Sequence, residues 1–532
     1  GMTRLLLKKQ LTEIFRSYFY DAKKNKARSK ASVVGFIVLF VLLMVGLLGG
    51  MFTWLSLSLC PVLAAMQVGW LYFVLMGSLG IFLGAFGSVF NTYAGLYLAK
   101  DNDLLLSLPI PVRALIASRL LGVYLMGLMY SVVVTLPAVI VYWIKVSHGA
   151  AAILGGLLMV FAVSLIVLIL SCVLGWAVAK ISLKLKHKSF VTVLASLVFI
   201  AAYYFFYFKA SQMIQTLMLN AIEYGEAIRD KAYPLYLFGR AWEGDPVALL
   251  VTLAVTAALL VLTCWILARS FLRIATASGS VSKVKYREKA AKLRSVPRAM
   301  FGKELSRFTA SPNYMLNCGL GLLFLPIVGI LLLVKAAWVR DIVALLEWDA
   351  DFLTLMLSGA LCSMASMVDI TAPSVSLEGK SLWLAQSLPI LPWEALRAKL
   401  RLQVILAGVP LAFASLCAIL ALRPGLFGAL LLLLLPQVFS LLMAAFGLFL
   451  NLKRPNFHWT SEIAPIKQSL SVTVALFGGW ALAALLMVGG WLLRNTLSPM
   501  STAWIYTVIL AAAAAFLLHW LKTAGARTFA AL

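Results

Sequence analysis

Residues 150–179 read AAAILGGLLMVFAVSLIVLILSCVLGWAVA, a run of thirty residues without a charged side chain. A helix of about 20 apolar residues crosses the hydrocarbon core of a bilayer. Because lipid offers no hydrogen-bond partners, a spanning segment has to satisfy its backbone groups internally, as a helix does. This stretch therefore predicts a transmembrane helix, and its length allows that helix to tilt or to extend beyond the bilayer.

The rest of the chain has the same character. Hydrophobic residues make up 63% of its 532 positions and charged residues 12%, whereas soluble domains are about half apolar and about a quarter charged. A soluble protein of this composition would lack the polar surface that keeps it in solution. The composition therefore excludes a soluble enzyme and predicts an all-α, polytopic membrane protein.

Apolar segments long enough to cross the bilayer predict about 12 transmembrane helices in two groups of six. A basic linker separates the two groups. The predicted spans are 31–52, 67–92, 114–144, 150–179, 189–209, 246–268, 313–334, 352–371, 395–422, 425–452, 468–492 and 501–521.

Lysine and arginine residues lie mainly on one side of this layout. With both termini in the cytoplasm, only nine of the 45 basic residues fall on the outer side, the asymmetry that the positive-inside rule describes. We therefore expect cytoplasmic termini and a multi-pass protein of the cell (cytoplasmic) membrane. The net charge of +26 lies in short loops beside apolar spans, so its expected partner is the lipid bilayer and no nucleic acid.

An internal repeat relates the two groups of spans. Ser-Leu-Pro-Ile at 107–110 recurs at 387–390, an offset of 280 positions. Each half also opens alike, with Lys-Gln-Leu at 9–11 and Lys-Glu-Leu at 303–305. Because each half starts inside and has an even number of spans, the pattern predicts two parallel six-helix repeats.

The chain is expected to have five parts. They are a cytoplasmic interfacial amphipathic helix with a basic segment (1–30), a first six-span repeat (31–269), a basic cytoplasmic linker with a second interfacial helix (270–312), a second six-span repeat (313–522) and a cytoplasmic tail (523–532).

The N-terminal interfacial helix is predicted from an apolar stripe opposite charged residues. A helix of this kind lies in the plane of the inner leaflet, with its apolar side in the lipid. Residues 301–308 are expected to form a similar helix before the second repeat. The apolar stripe consists of Leu7, Leu11, Ile14, Phe15 and Tyr18.

Two cytoplasmic connections, the first elbow (residues 100–111) and the second elbow (376–389), occupy equivalent places in the repeats. Asp101 and Asp103 suit the start of a short helix. Apolar turns follow, and Pro109 ends the helix and turns the chain back. Such a helix would expose apolar surface to the cytosol, which predicts docking of a protein partner. The alternative is that it packs on its own bundle.

The two elbows resemble the permease subunits of ABC-2-type transporters. The resemblance rests on Leu-Leu-Leu-Ser-Leu-Pro-Ile at 104–110 and Ser-Leu-Glu-Gly-Lys-Ser-Leu-Trp at 376–383. It is strongest to the large, internally duplicated exporter permeases whose ATPase is a separate chain. In topology it covers almost the whole sequence.

The resemblance implies that both elbows are coupling helices on which two copies of a cytosolic ABC ATPase dock. ATP and Mg would bind that ATPase, so no cofactor is expected on this chain. The resemblance also implies that the interfacial helix touches the ATPase. The docking residues that it implies are Asp103, Leu104, Leu105, Leu106, Leu108, Pro109, Glu378, Gly379, Leu382, Trp383, Leu388 and Pro389.

Chemistry on the chain itself is not expected. Gly379-Lys380-Ser381 looks like the end of a phosphate-binding loop, but that motif needs a glycine where Ser374 stands. The four histidines are scattered without the spacing of metal ligands. We therefore predict no catalytic, nucleotide-binding or metal-binding residues.

Four functions stay open at this point. The first is an ATP-driven exporter of amphiphilic cargo: a lipid, a hydrophobic peptide or a drug. The alternatives are a membrane-embedded lipid-modifying enzyme, a secondary carrier, and a sensing or immunity complex that uses the same elbows without moving cargo. Asp369, near the inner end of the predicted eighth span, is a functional candidate because acids in spans are costly; a role in orienting the elbow is the competing interpretation.

Overall fold

The computed structural model describes residues 1–14, 20–21, 26–92, 96–97, 102–184, 187–277, 288, 290–459, 462–467 and 469–532. These ranges are almost entirely helical, apart from a two-residue antiparallel pairing of β1 (Tyr20–Asp21) with β2 (Lys26–Ala27). The chain divides into a first unit (1–188 with 198–288) and a second unit (189–197 with 289–532).

The described helices up to residue 277 include two short ones, 221–231 and 233–242, after the long helix that contains the predicted span 189–209. In chain order they are α1 (Met2–Ile14), α2 (Lys30–Ala65), α3 (Gly69–Thr92), α4 (Asn102–Ser107), α5 (Val112–Lys145), α6 (Ala150–Lys184), α7 (Lys188–Leu219), α8 (Ala221–Lys231), α9 (Tyr233–Trp242) and α10 (Pro246–Ala277).

The helices described after residue 288 include a 3₁₀ helix (Ser376–Ser381) inside the second elbow. The α-helices are α11 (Val296–Ala310), α12 (Pro312–Cys318), α13 (Gly321–Val334), α14 (Ala336–Leu345), α15 (Ala350–Ala365), α16 (Leu382–Ser387), α17 (Pro392–Leu422), α18 (Leu426–Lys453), α19 (Ile463–Lys467), α20 (Leu470–Leu493) and α21 (Pro499–Ala531).

Ten helical stretches in the described ranges are long and apolar enough to cross a membrane. An eleventh forms if α12 and α13, which are bent by 50° at their junction, count as one span. The remaining predicted span corresponds to α15, which has 16 residues, shorter than the ~20 that a full crossing needs. The predicted all-α, polytopic fold is confirmed, and a helix lies at each of the twelve predicted spans.

The predicted outer segments contain helices at different places in the two units. In the first unit, α9 packs into the core, where the ring of Trp242 stacks on Phe73 with centroids 5.4 Å apart. In the second unit, α14 lies between α13 and α15, where the sequence predicted only a loop. The Arg340 guanidinium donates two hydrogen bonds to the carbonyl of Ala421, at 3.0 and 2.8 Å. These bonds satisfy an otherwise unpaired carbonyl at the end of α17.

Candidate functional site: the second elbow

The second elbow is a compact turn between α15 and α17. Its 3₁₀ helix leads into α16, and Pro389 then prevents α16 from continuing. Helix α17 begins at Pro392, a residue suited to the first helical position. The Glu394 carboxylate accepts a hydrogen bond from the backbone N–H of Leu391 at 2.9 Å, which caps the helix start.

Glu378 sits inside this turn with its side chain almost completely buried. Its carboxylate accepts hydrogen bonds from Lys303 Nζ at 3.0 and 3.1 Å and from Arg307 Nη2 at 2.9 Å. Both donors lie on α11, one turn apart and therefore on the same helix face. Helix α11 is thus ionically bound to the elbow.

Lys399 of α17 approaches Glu378 from the other side and is fully buried. Its ammonium donates to Glu378 Oε1 at 2.8 Å, to Glu304 Oε1 at 2.8 Å and to the carbonyl of Ser374 at 3.1 Å. An ammonium has three donors, and all three are used. We name the five charged residues the charge cluster: Lys303, Glu304, Arg307, Glu378 and Lys399.

The charge cluster shifts the pKa of two of its members, Glu378 and Arg307. Burial by itself would raise the pKa of Glu378, but Lys399 and Arg307 lower that pKa well below its usual range. Burial would also lower the pKa of Arg307, yet Glu304 and Glu378 raise it. Because a buried charge is costly without its partner, the cluster stabilises the arrangement in which α11, the elbow and α17 meet.

The elbow backbone is held by neutral side chains as well. Asn451 Oδ1 of α18 accepts from the backbone N–H groups of Val375 and Ser376, at 2.8 and 2.9 Å. The indole N–H of Trp459 donates to the carbonyl of Ser376 at 2.7 Å. Gly379 has φ +55° and lies under the Trp459 ring, which a Cβ there would meet at 3.0 Å. This position therefore requires glycine.

One side of the second elbow faces outward and is apolar. Leu382 and Ala385 of α16 point into the core, whereas Trp383 and Leu384 are exposed. Leu388, in the turn after α16, is 45% exposed. The elbow therefore combines an anchored side with an exposed apolar side.

The first elbow repeats this division at an offset of 280. Leu104 is 64% exposed and its counterpart Leu384 is 49% exposed; Leu108 and Leu388 are 44% and 45% exposed. Leu105 is buried, in a cluster that includes Leu6 of α1. The same positions thus face outward in both elbows.

Backbone and hydroxyl contacts repeat at the same offset. The hydroxyl of Ser107 donates to the carbonyl of Leu104 at 2.6 Å, and Ser387 donates to Leu384 at 2.9 Å. Seven residues into the helix that follows each elbow, a basic side chain is buried: Arg119 in the first unit and Lys399 in the second. The two elbows are therefore built alike beyond their shared sequence.

The predicted docking residues divide between the exposed and the anchored side. The side chain of Asp103 lies outside the described residues, and Leu106 is half-buried. The exposed ones are Leu104, Leu108, Pro109, Trp383, Leu388 and Pro389, and the buried ones are Leu105, Glu378, Gly379 and Leu382.

The predicted interfacial helix is described only in part. Leu7 and Leu11 are half-buried on α1, and the neighbouring Leu6 is buried against the first elbow. The side chain of Ile14 and the whole of Phe15 and Tyr18 lie outside the described residues. Its expected second copy, 301–308, is part of α11.

Sequence reasoning missed the charge cluster. Lys399 and Glu304 are 95 positions apart, and no local pattern links them. Two signals could have indicated a buried pairing: Lys399 lies just inside a predicted span, and a buried cation in such a place needs an anion. The Lys-Glu-Leu motif at 303–305 contains such an acid, Glu304, on the helix predicted just before the second repeat.

Asp369 lies in the segment 366–375, which joins α15 to the elbow. The predicted eighth span placed it within a helix, but α15 ends at Ala365, so the span boundary was wrong by six residues. The backbone N–H of Asp369 donates to the carbonyl of Cys318 at 2.9 Å. Its side chain is 4% exposed. Across the described ranges, no group of three or more His, Cys, Asp or Glu side chains could hold a metal ion.

A family model described as a membrane protein of 12 TMs matches residues 30–519. The chain belongs to this family. The match of the 12-TM family runs from the first residue of α2 into α21 and so includes both elbows. It agrees with a multi-pass membrane protein. Comparisons with curated proteins and with solved structures found no match.

Proposed function

We propose that this 12-TM protein is the permease subunit of an ATP-driven ABC-2-type transporter in the cytoplasmic membrane, working with two copies of a separate cytosolic ATPase. The observation that carries the proposal is the pair of elbows. Each exposes leucines at corresponding positions, Leu104 with Leu108 and Leu384 with Leu388. Two like surfaces suit two copies of one partner.

The location of the elbows supports a cytosolic partner. The positive-inside rule predicts that both elbows lie on the cytoplasmic side of the membrane. A short apolar helix exposed to water gains free energy when a partner groove covers it. Nucleotide and Mg would bind the partner, and hydrolysis would occur there and not on this chain.

The charge cluster supports transmission of force from the second elbow. Glu378 belongs to the elbow and Lys399 to α17, a helix of 31 residues long enough to cross the bilayer. A push on the elbow would move α17 with it, because separating the two charges in a buried site is costly. Docking and movement of the ATPase would in this way reach the spans.

The cargo is proposed to be amphiphilic and exported. A groove of about 340 Å³ between α20 and α21 supports this choice, since its lining is leucine and isoleucine apart from Gly489 and Tyr506. A lipid, a hydrophobic peptide or a drug has the apolar part that such a lining accepts.

The proposal is tested by purifying the protein in mild detergent from its own cells and identifying what stays bound by mass spectrometry. We expect an ATPase that carries its own nucleotide site, retained by the wild type and lost from the L104E/L384E double variant. Leu293→Glu is the matched control, because Leu293 is also an exposed leucine of the predicted cytoplasmic side. Purification of the chain without any ATPase would contradict the proposal.

A further inference from the structure

The segment 366–375 holds a buried acid without a counter-charge. The side chain of Asp369 is 4% exposed, and within the described part of the chain its carboxyl makes no hydrogen bond and no ion pair. This contrasts with Glu378 nine positions later, whose carboxylate has three cationic partners. Burying an unpaired carboxylate costs several kcal/mol more than burying the neutral acid.

Hydrogen bonds hold the backbone on both sides of Asp369. The amide of Gln403 accepts from the N–H of Thr371 at 2.8 Å and donates to the carbonyl of Val368 at 2.9 Å. The hydroxyl of Tyr314 donates to the carbonyl of Ile370. These bonds hold the backbone on both sides of Asp369, whose carboxyl has no hydrogen-bond partner among the described residues.

The titratable groups on neighbouring elements do not supply a positive charge. Cys318 of α12 interacts electrostatically with Asp369, but its thiol is neutral or negative. Lys399 and Arg307 are held by the glutamates of the charge cluster. Tyr314 of α12 donates its hydroxyl to the carbonyl of Ile370, and Glu304 of α11 interacts electrostatically with Tyr314.

We propose that Asp369 is a proton-binding site of the second unit: the carboxyl is neutral in the resting structure, and losing its proton accompanies an opening of the segment 366–375. Burial raises the pKa of Asp369 well above its usual range, in line with this geometry. Because the segment leads directly into the second elbow, a movement that admits water to Asp369 would also shift the chain that enters the elbow. This inference does not depend on the proposed ATPase partner.

The sign of the pH dependence follows from linkage. The closed structure binds the proton of Asp369 more tightly than an open or unfolded one. The closed structure therefore loses stability as the pH rises above the ordinary pKa of an aspartate, about 3.9. Asp369→Asn keeps the shape and the neutral state, and this variant should not show that loss.

Infrared spectroscopy of the purified full-length protein tests the protonation directly. We expect a carbonyl band of a protonated carboxylic acid at neutral pH, absent from Asp369→Asn and from Asp369→Ala, and retained in Asp341→Asn, a control at an exposed acid. If the wild type has no such band, or if the band survives removal of Asp369, the proposal is overturned.

Labelling of Cys318 by a maleimide tests the opening. Cys318 is fully buried, and its carbonyl is bonded to the backbone of Asp369. Between about pH 5 and pH 8, we expect the labelling rate of the wild type, divided by that of Asp369→Asn, to rise at least several-fold. The ratio removes the pH dependence that the thiol has in both proteins. A negative Asp369 would disfavour the Cys318 thiolate and so act against the expected rise. A ratio that stays constant with pH overturns the coupling of proton loss to opening.

Discussion

Lys399 Nζ lies 2.8 Å from Glu378 Oε1, and both side chains are almost completely buried. This contact joins the second elbow to α17. The same ammonium of Lys399 also binds the carboxylate of Glu304 on α11. An elbow anchored in this way can present its other side, with Leu384 and Leu388, as a fixed apolar surface.

Lys399→Met should destabilise the second unit strongly. The substitution keeps a side chain of similar length but leaves two buried carboxylates without their ammonium. Removing one partner of a buried pair costs about 3–5 kcal/mol. Because Lys303 and Arg307 still face Glu378, we expect the lower end of this range.

The measurement is the unfolding midpoint of the purified protein in detergent. Lys380→Met is the matched control, since Lys380 is an exposed lysine of the same elbow, and its midpoint should stay near that of the wild type. Equal midpoints for both variants would show that the buried contact contributes no stability.

Acidification should weaken the anchor through Glu378. Because folding lowers the pKa of this carboxyl, the stability it contributes is fully present above the unfolded value, about 4.3, and is lost as pH falls through the lower folded value. Glu378→Gln should therefore be less stable than the wild type at neutral pH, and it should lose less stability than the wild type on acidification. The measurement is the thermal unfolding midpoint of both proteins at a series of pH values from neutral downward. Midpoints that fall in parallel with pH would argue against an ionised Glu378.

Gly379→Ala should strain the elbow. Gly379 has φ +55° and ψ −134°, a backbone region that is nearly confined to glycine and costs another residue about 1–3 kcal/mol. The new methyl group would also press on the ring of Trp459. Gly302→Ala is the control: this glycine is on helix α11, and a Cβ there meets only Arg294 Nη1 at 3.7 Å. We expect a lower unfolding midpoint for the first variant and an unchanged or higher one for the second, since alanine favours a helix.

Asn451→Ala should also loosen the elbow. It removes the acceptor of two buried backbone N–H groups, those of Val375 and Ser376, and each unsatisfied group costs about 1–3 kcal/mol. Asn317→Ala changes an exposed asparagine and serves as the control. Hydrogen exchange of the peptide that contains 375–376 should accelerate in the first variant alone; unchanged exchange there would contradict the anchoring role of Asn451.

The sequence predicted the helical fold because lipid imposes simple rules. A span needs length and apolar composition, and both can be read locally, so each predicted span coincides with a helix. The ends are harder to predict. Helix α15 stops at Ala365, and the hydrogen bonds of Gln403 with Val368 and Thr371 hold the segment that follows in a non-helical conformation. Helix α14 was missed because it has only ten residues and depends on the contact of Arg340 with Ala421.

The site could be predicted only in outline. The elbow positions followed from the repeated Ser-Leu-Pro-Ile, and the exposure of Leu104 and Leu384 agrees with an outward-facing surface. Which elbow residues face inward depends on partners far along the chain. Leu382 and Glu378 carry the same local signals as their exposed neighbours, yet α11 and α17 bury them. Such long-range packing leaves no local pattern.

Native mass spectrometry of the intact complex counts the ATPase copies that each form of the protein carries. We expect two copies on the wild type, one on Leu104→Glu, one on Leu384→Glu and none on the double variant, with two retained on Leu293→Glu. A chain that carries no ATPase, or a count that is the same in all four elbow forms, would contradict the claim that the two elbows are the docking sites.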